Sequence, residues 1–200
     1  RADNADICLL LEGTFPYVSG GVSSWVNQII RGFPEYRFAC CFVGSRPQDY
    51  GEMKYTLPDN VVHLEVHYLH QPGGQAEQGA LPGDRAAFDK VDRFHRMVSS
   101  GRVSDGRNRL FAELVDQLGD GQALCEEAFL HSRASWDLIA DHYRRNSRDP
   151  SFVDYFWTVR TMHAPIWVLK RIADNLIPAR VYHTISTGYA GFLGAMLKHQ

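Results

Sequence analysis

The chain has 200 residues, 44% of them hydrophobic, which is enough to bury one core and carry a large insertion. A formal net charge of -2 excludes an electrostatic grip on nucleic acid, which needs a clear basic excess. No apolar run approaches the roughly 18 residues of a membrane span, and the opening Arg1–Asp6 lacks the apolar core of a signal peptide.

Asp6–Leu11 (DICLLL) is a short continuous apolar run bounded by Glu12-Gly13, the pattern of a buried, parallel strand. A loop with Pro16, Ser19, Gly20 and Gly21 follows. Val22, Trp25, Val26, Ile29, Ile30 and Phe33 then recur at three- and four-residue steps and predict a helix stopping near Gly32 and Pro34. Tyr36–Val43 and Val61–Leu69 read as two further buried strands, the second introduced by the turn residues Pro58-Asp59-Asn60.

From Gln71 to Pro82 the chain is rich in Gly, Pro and Gln and reads as a mobile loop. Helical patterns run from Asp84 to about Asn175. One begins with Phe88, Val91, Asp92 and His95. A second carries Leu110, Leu114, Val115 and Leu118, ending at Gly119, and a third carries Trp136, Ile139, Ala140 and Tyr143. Phe152–Ile177 is aromatic-rich, with Pro165 placed to kink or split it. Arg180–Ile185 returns to strand character, and a helix with Tyr189, Phe192, Leu193, Met196 and Leu197 closes the sequence. The expectation is an α/β, Rossmann-like, doubly wound parallel sheet formed by 1–70 and 178–200. A loop and helical subdomain over 71–177 interrupts it. The missing initiator Met and the uncapped last helix read as marks of an excised piece.

Cys8, Cys40 and Cys41 sit in strand-like runs, and with Cys125 they form neither a CxxC nor a zinc-spaced pair, so reduced thiols and no metal are expected. Three places hold residues suited to chemistry. The loop Glu12–Val22 follows the first strand, where doubly wound sheets bind ligands. A helix opening at Val22 would aim free N–H groups and its positive end at a phosphate or sugar approaching the bare backbone of Gly20 and Gly21. A plain turn explains the same glycines. His183 either contacts a sugar hydroxyl or is a hydrogen-bonded core histidine. Ser186, Thr187 and Gly188 either turn their N–H groups to the same crevice or serve as a helix N-cap. Tyr155, Trp157, Arg160, His163 and Trp167 either stack on sugar rings or pack the inserted helices. Arg144, Arg145 and Arg148 read as a solvated surface.

The glycine spacing is not the dinucleotide fingerprint, no acidic residue follows the second strand, and no Gly-Lys-Ser/Thr marks a Walker loop. A dinucleotide-binding oxidoreductase domain, with Arg46 facing a 2′-phosphate, stays as an alternative. So does a noncatalytic assembly module of a membrane polysaccharide synthase.

Glu12–Trp25 (EGTFPYVSGGVSSW), His183–Gly191 (HTISTGYAG) and Trp157–Pro165 (WTVRTMHAP) resemble the PelF family. These are family-4, GT-B-type glycosyltransferases of Pel exopolysaccharide biosynthesis. The likeness spans the chain, weakly between about 70 and 150. It implies the acceptor-side domain of a retaining, metal-independent enzyme. Such an enzyme moves a sugar from a UDP-sugar onto a growing polysaccharide of the biofilm matrix. A carboxyl-terminal donor-binding domain, absent from these residues, would supply the diphosphate-binding basic pair and the E-x7-E carboxylates. This stretch alone is expected to be inactive. The implied substrate contacts are Thr14, Tyr17, Gly20, Gly21, Val22, His183, Ser186, Thr187, Gly188 and Tyr189. The implied setting is the cytoplasm, peripheral to the inner membrane through a polysaccharide synthase complex. Many relatives carry an H-x-H pattern whose second position here is Ile185, so no catalytic residue is assigned in this chain.

Overall fold

A computed structural model describes residues 3–70, 81–101, 105–148 and 151–199. In chain order the first elements are β1 (Ala5–Glu12), α1 (Gly21–Gly32), β2 (Phe38–Gly44), a 3-10 turn at Pro47–Asp49 and β3 (Val61–Tyr68). Then come α2 (Arg85–Ser99), α3 (Asp105–Asp116), α4 (Glu126–His131), α5 (Arg133–Asn146), α6 (Phe152–His163), α7 (Pro165–Asn175), β4 (Ala179–Thr184) and α8 (Tyr189–Leu197). The chain divides into two compact units: Arg1–Gly73 with Arg171–Gln200, and Gly74–Lys170.

The first unit is the α/β, Rossmann-like sheet expected from the strand and helix patterns. Among the described residues its strands lie in the order β3-β2-β1-β4, all parallel. The continuous apolar runs exist because helices cover both faces of the central strands. Leu9 lies in register with Cys40 on one side and His183 on the other, which puts these side chains on one face. On that face Leu9, Leu11, Phe38 and Cys40 pack with Val26 and Ile30 of α1 and with Phe15. On the other, α8 comes close enough that a Cβ on Gly194 would touch Leu10 and Thr184. Asn60 anchors the exit of α1 by donating from Nδ2 to the carbonyls of Ile30, Phe33 and Tyr36 at 2.9, 3.2 and 3.2 Å.

All four cysteines are free. Burial first, then the Glu65 charge, pushes the Cys8 thiol up to about 12, and burial likewise raises Cys40 and Cys41. These are inert, protonated thiols. Cys125 differs: it is the N-cap of α4, and its Sγ accepts from the Ala128 N–H at 3.4 Å.

The second unit is helical. Asp84, Ser132 and Ser151 cap α2, α5 and α6 by accepting from the N–H groups of Ala87, Ser135 and Asp154. Ala87, Phe88, Leu124, Ala128 and Ala134 form a core cluster. Pro165 splits the long aromatic stretch as its fixed φ requires, becoming the first residue of α7. The short α4, whose six residues are too few to show a helical period, was not foreseen. Most of the expected loop 71–82 falls outside the described residues; Leu81 forms an isolated bridge with Ser132.

The aromatic stretch divides by role. Trp167 is 4% exposed and donates its indole N–H to the Leu124 carbonyl at 2.9 Å, whereas Trp157 is 55% exposed. The Arg160 guanidinium lies 5.2 Å over Phe156 and 5.6 Å over Trp157, and donates to the Leu130 carbonyl. Arg145 is exposed, as expected, and its guanidinium also reaches the buried Asp92 at 3.2 Å, because that carboxylate also takes His142 at 2.7 Å and Arg96 and needs opposite charge. Arg144 stays at the surface beside Asp141. Within the described residues no helix is long and apolar enough to cross a membrane.

Candidate functional site

The strand order places a topological switch between β1 and β4. The chain leaves β1 toward β2 and β3, while β4 pairs on the other side. In open α/β sheets, ligands bind outside the carboxyl ends of strands at such a point. Two segments meet there: the loop after β1 and the turn after β4.

The first loop is firmly built. Gly13 takes φ 60°, which glycine tolerates without strain, and its N–H bonds the Val43 carbonyl at 3.0 Å. Phe15 is fully buried, its ring 5.3 Å from Tyr55, and the peptide bond to Pro16 is cis. The Thr14 carbonyl accepts from the N–H groups of Tyr17 and Val18. The Thr14 hydroxyl is buried and has no partner among the described residues. Tyr17 lays its ring 4.7 Å from Phe42 and 6.4 Å from Tyr50. Burial, then Tyr68, raises its phenol above the usual range. Thr14 and Tyr17 therefore hold the shape of the loop.

Beyond them the loop opens. Val18, Ser19, Gly20, Gly21 and Val22 are exposed. Gly20 is the N-cap of α1, and no side chain caps this helix. The N–H groups of the first turn have no intrahelical partner by geometry, and they carry the positive end of the dipole. A Cβ added at Gly20 or Gly21 would meet nothing within 4 Å.

The second segment starts at His183. Its side chain is exposed, with the ring 6.1 Å from Trp25 of α1. That exposure removes the core-histidine alternative. Ile185, on the same face, packs against the core. Thr184 Oγ1 donates to the Ser186 carbonyl at 2.8 Å. Ser186 Oγ accepts from the Gly188 N–H at 3.2 Å and donates to Glu12 Oε2 at 2.9 Å. Thr187 is exposed.

Gly188 is the N-cap of α8, so neither Ser186 nor Thr187 fills that position. The α8 end is also not the open N–H cradle expected. Ala190 gives its N–H to Glu12 Oε2 at 3.0 Å, and a Cβ on Gly188 would fall 2.7–2.8 Å from both Glu12 oxygens. The physical reason is simple: the last residue of β1 is an acid lying against a helix N-terminus, where a carboxylate is favoured by the dipole. Burial, then the Glu12 charge, raises the Tyr189 phenol.

The two segments are thus joined through Glu12–Ser186 and Trp25–His183. Glu12 and Trp25 were not among the expected site residues. Their partners lie far off in sequence, 174 residues in the case of Glu12 and Ser186, so no local pattern announces the pairing. A further polar cluster lies on β3. His63 and His67 hold the two oxygens of Glu65 at 2.8 and 2.9 Å, beside a groove of about 430 Å³. Burial pushes the Glu65 carboxyl up, but the two imidazole bonds outweigh it and leave it below its ordinary value. Among the described residues no group of three or more His, Cys, Asp or Glu could hold a metal ion.

A family model described as a domain of unknown function, DUF3492, matches residues 5–200. The chain belongs to the DUF3492 family. No curated protein and no solved structure matches it. The family match takes in β1 through α8, so both segments at the switch point are DUF3492 sequence.

Proposed function

We propose that this DUF3492 chain is the acceptor-side domain of a PelF-like, retaining GT-B glycosyltransferase. It would act in the cytoplasm beside an inner-membrane polysaccharide synthase and take part in moving a sugar from a UDP-sugar to a growing exopolysaccharide. The observation that carries the reading is the uncapped, side-chain-free entrance to α1 at Gly20–Gly21, beside the Glu12–Ser186 link at the switch point. A diphosphate suits this entrance because free N–H groups and the dipole stabilise an anion that no side chain obstructs. An unobstructed helix entrance also suits a reaction that proceeds by orientation and leaving-group stabilisation. Catalytic carboxylates and the basic diphosphate pair belong to a donor-binding domain.

The test is steady-state UDP release in the enzyme containing this chain, with Gly20→Val and Gly21→Val. Both substitutions fit the open space, so the fold should persist while turnover falls at least tenfold. Unchanged kinetics in both variants would take the loop out of the active site. Saturable NADPH binding with no UDP-sugar binding would favour an oxidoreductase instead.

A further inference from the structure

Among the described residues β3 ends the strand order, and only one side of its main chain pairs with β2. Two bonds fix which side. The Phe38 N–H bonds the Asn60 carbonyl, and the Leu69 N–H bonds the Gly44 carbonyl. Cys40 and Phe42 lie in register with Leu64 and Val66, and in a parallel pair each bonds the residues on either side of its register partner. The main chain of His63, Glu65 and His67 therefore serves β2, while that of Leu64 and Val66 points away from the sheet. A groove of about 430 Å³ is lined by residues 62–67. Successive side chains of a strand point to opposite faces, so space that touches all six follows the free edge rather than one face.

Natural sheets guard such an edge with Lys, Pro or a bulge. Residues 61–69 hold no Lys, Arg or Pro. The irregularity against β2 lies at the start of the strand, between Phe38 and Ala39. The one formal charge on β3 is Glu65, and it alternates with His63 and His67 on a single face. This pattern is complementary to itself. In an antiparallel pair of two copies with the twofold axis at Leu64, Leu64 meets Leu64, Val62 meets Val66, and His63 meets Glu65 in both directions. Apolar side chains face apolar ones, and imidazole faces carboxylate. An axis at Glu65 would set two carboxylates opposite each other, which disfavours that register.

We propose that the free edge of β3 is a self-association surface, through which a second copy of this chain pairs antiparallel about Leu64. The two sheets then continue into one. Leu64 exchanges its N–H and C=O with its counterpart. Glu65, already held by His63 at 2.8 Å and His67 at 2.9 Å, receives the His63 of the second copy as a third neighbour. A carboxylate has room for it, with about four lone-pair positions. Pairing over so short a strand makes a small interface, so the dimer is transient. None of this depends on the glycosyl-transfer reading.

The test is sedimentation equilibrium together with amide exchange, on the full protein containing this chain, unaltered and with Val66→Pro or Val66→Lys. The Val66 N–H does not serve β2, so proline removes an outward donor only, which edge strands tolerate. Lysine is the charge that natural edges use against pairing. The unaltered protein should pass from monomer to dimer between about 1 and 100 µM, with exchange at Leu64 and Val66 slowing about tenfold across that range. Both variants should stay monomeric with an unchanged far-UV circular dichroism spectrum. If Val66→Pro loses its fold, Val66→Lys carries the comparison. A monomer at every concentration would overturn the proposal, whether those two amides exchange freely or are covered by something else. A dimer that survives in folded Val66→Lys, or that leaves the Leu64 and Val66 amides unprotected, would put the contact elsewhere and overturn it as well.

Discussion

Acid should weaken the helical unit well before it protonates ordinary carboxylates, and His95 is the reason. Its ring stacks on His163 at 5.9 Å between centroids and meets His142 edge-on at 5.5 Å. Burial, followed by the neighbouring His163 and His142, lowers it from 6.5 to about 4, with Asp92 opposing. Burial also lowers His163, against a hydrogen bond to the Val159 carbonyl. The charges around the stack are Asp92 and Arg96 on α2 and Arg145 on α5. A histidine kept neutral in the folded state contributes its full stability above the unfolded value. That stability drains away as pH falls, because between about 6.5 and 4 the unfolded chain binds a proton that the native one refuses. A depression of this size corresponds to at most about 3 kcal/mol, reduced by residual solvent access. Asp92 acts in a different window. Burial raises its carboxyl, but His142, Arg145 and Arg96 outweigh it and lower the net value, so its contribution disappears only at lower pH. Urea unfolding followed by tryptophan fluorescence from pH 7.5 to 4.5 should show stability falling, and His95→Phe should flatten the slope. A flat profile in the parent protein, or an equal slope in His95→Phe, would refute the account.

Two substitutions test the packing of the sheet unit. A Cβ on Gly44 would lie 2.7 Å from Tyr50, 2.8 Å from Phe42 and 3.0 Å from Tyr68, so Gly44→Ala should cost roughly 1–3 kcal/mol in urea unfolding. Gly32→Ala, with open space around it, serves as the control. Asn60→Ala strips three carbonyls at the exit of α1 of their shared donor and should cost about 1–2 kcal/mol, with faster amide exchange confined to Ile30–Tyr36.

The α/β sheet was legible because β1 and β2 are short, bounded apolar runs and α1 shows a clean helical stripe. Pro165 announced the break between α6 and α7 for an equally local reason. The short α4 left no period to read. The site was legible in position but not in detail. Gly20 and Gly21 stood out by spacing, yet nothing local distinguishes a bare helix entrance from one filled by an acid far away. Glu12 was visible only as the end of a strand until Ser186 and Ala190 met it across the β1–β4 pair. His183 could be read from the sequence as a sugar contact or as a core residue. Its exposure depends on which strand stands at the edge, which is a tertiary fact.

The contrast among helix entrances carries one more test. Asp84, Ser132 and Ser151 cap α2, α5 and α6, and Glu12 serves α8, whereas α1 begins at Gly20 with no side-chain acceptor. Folding alone would gain from an acid there. Gly20 has an extended backbone at φ 165°, which other residues adopt, and open space around it. Gly20→Asp should therefore stabilise the sheet unit by about 0.5–1 kcal/mol, through the cap and the dipole together. The same carboxylate would occupy the place of the diphosphate, so the variant should bind UDP more weakly, and the loss should shrink at high salt. A stabilised variant with unchanged UDP affinity would show that the bare α1 entrance does not serve the nucleotide. A destabilised one would show that Gly20 is required by the backbone after all.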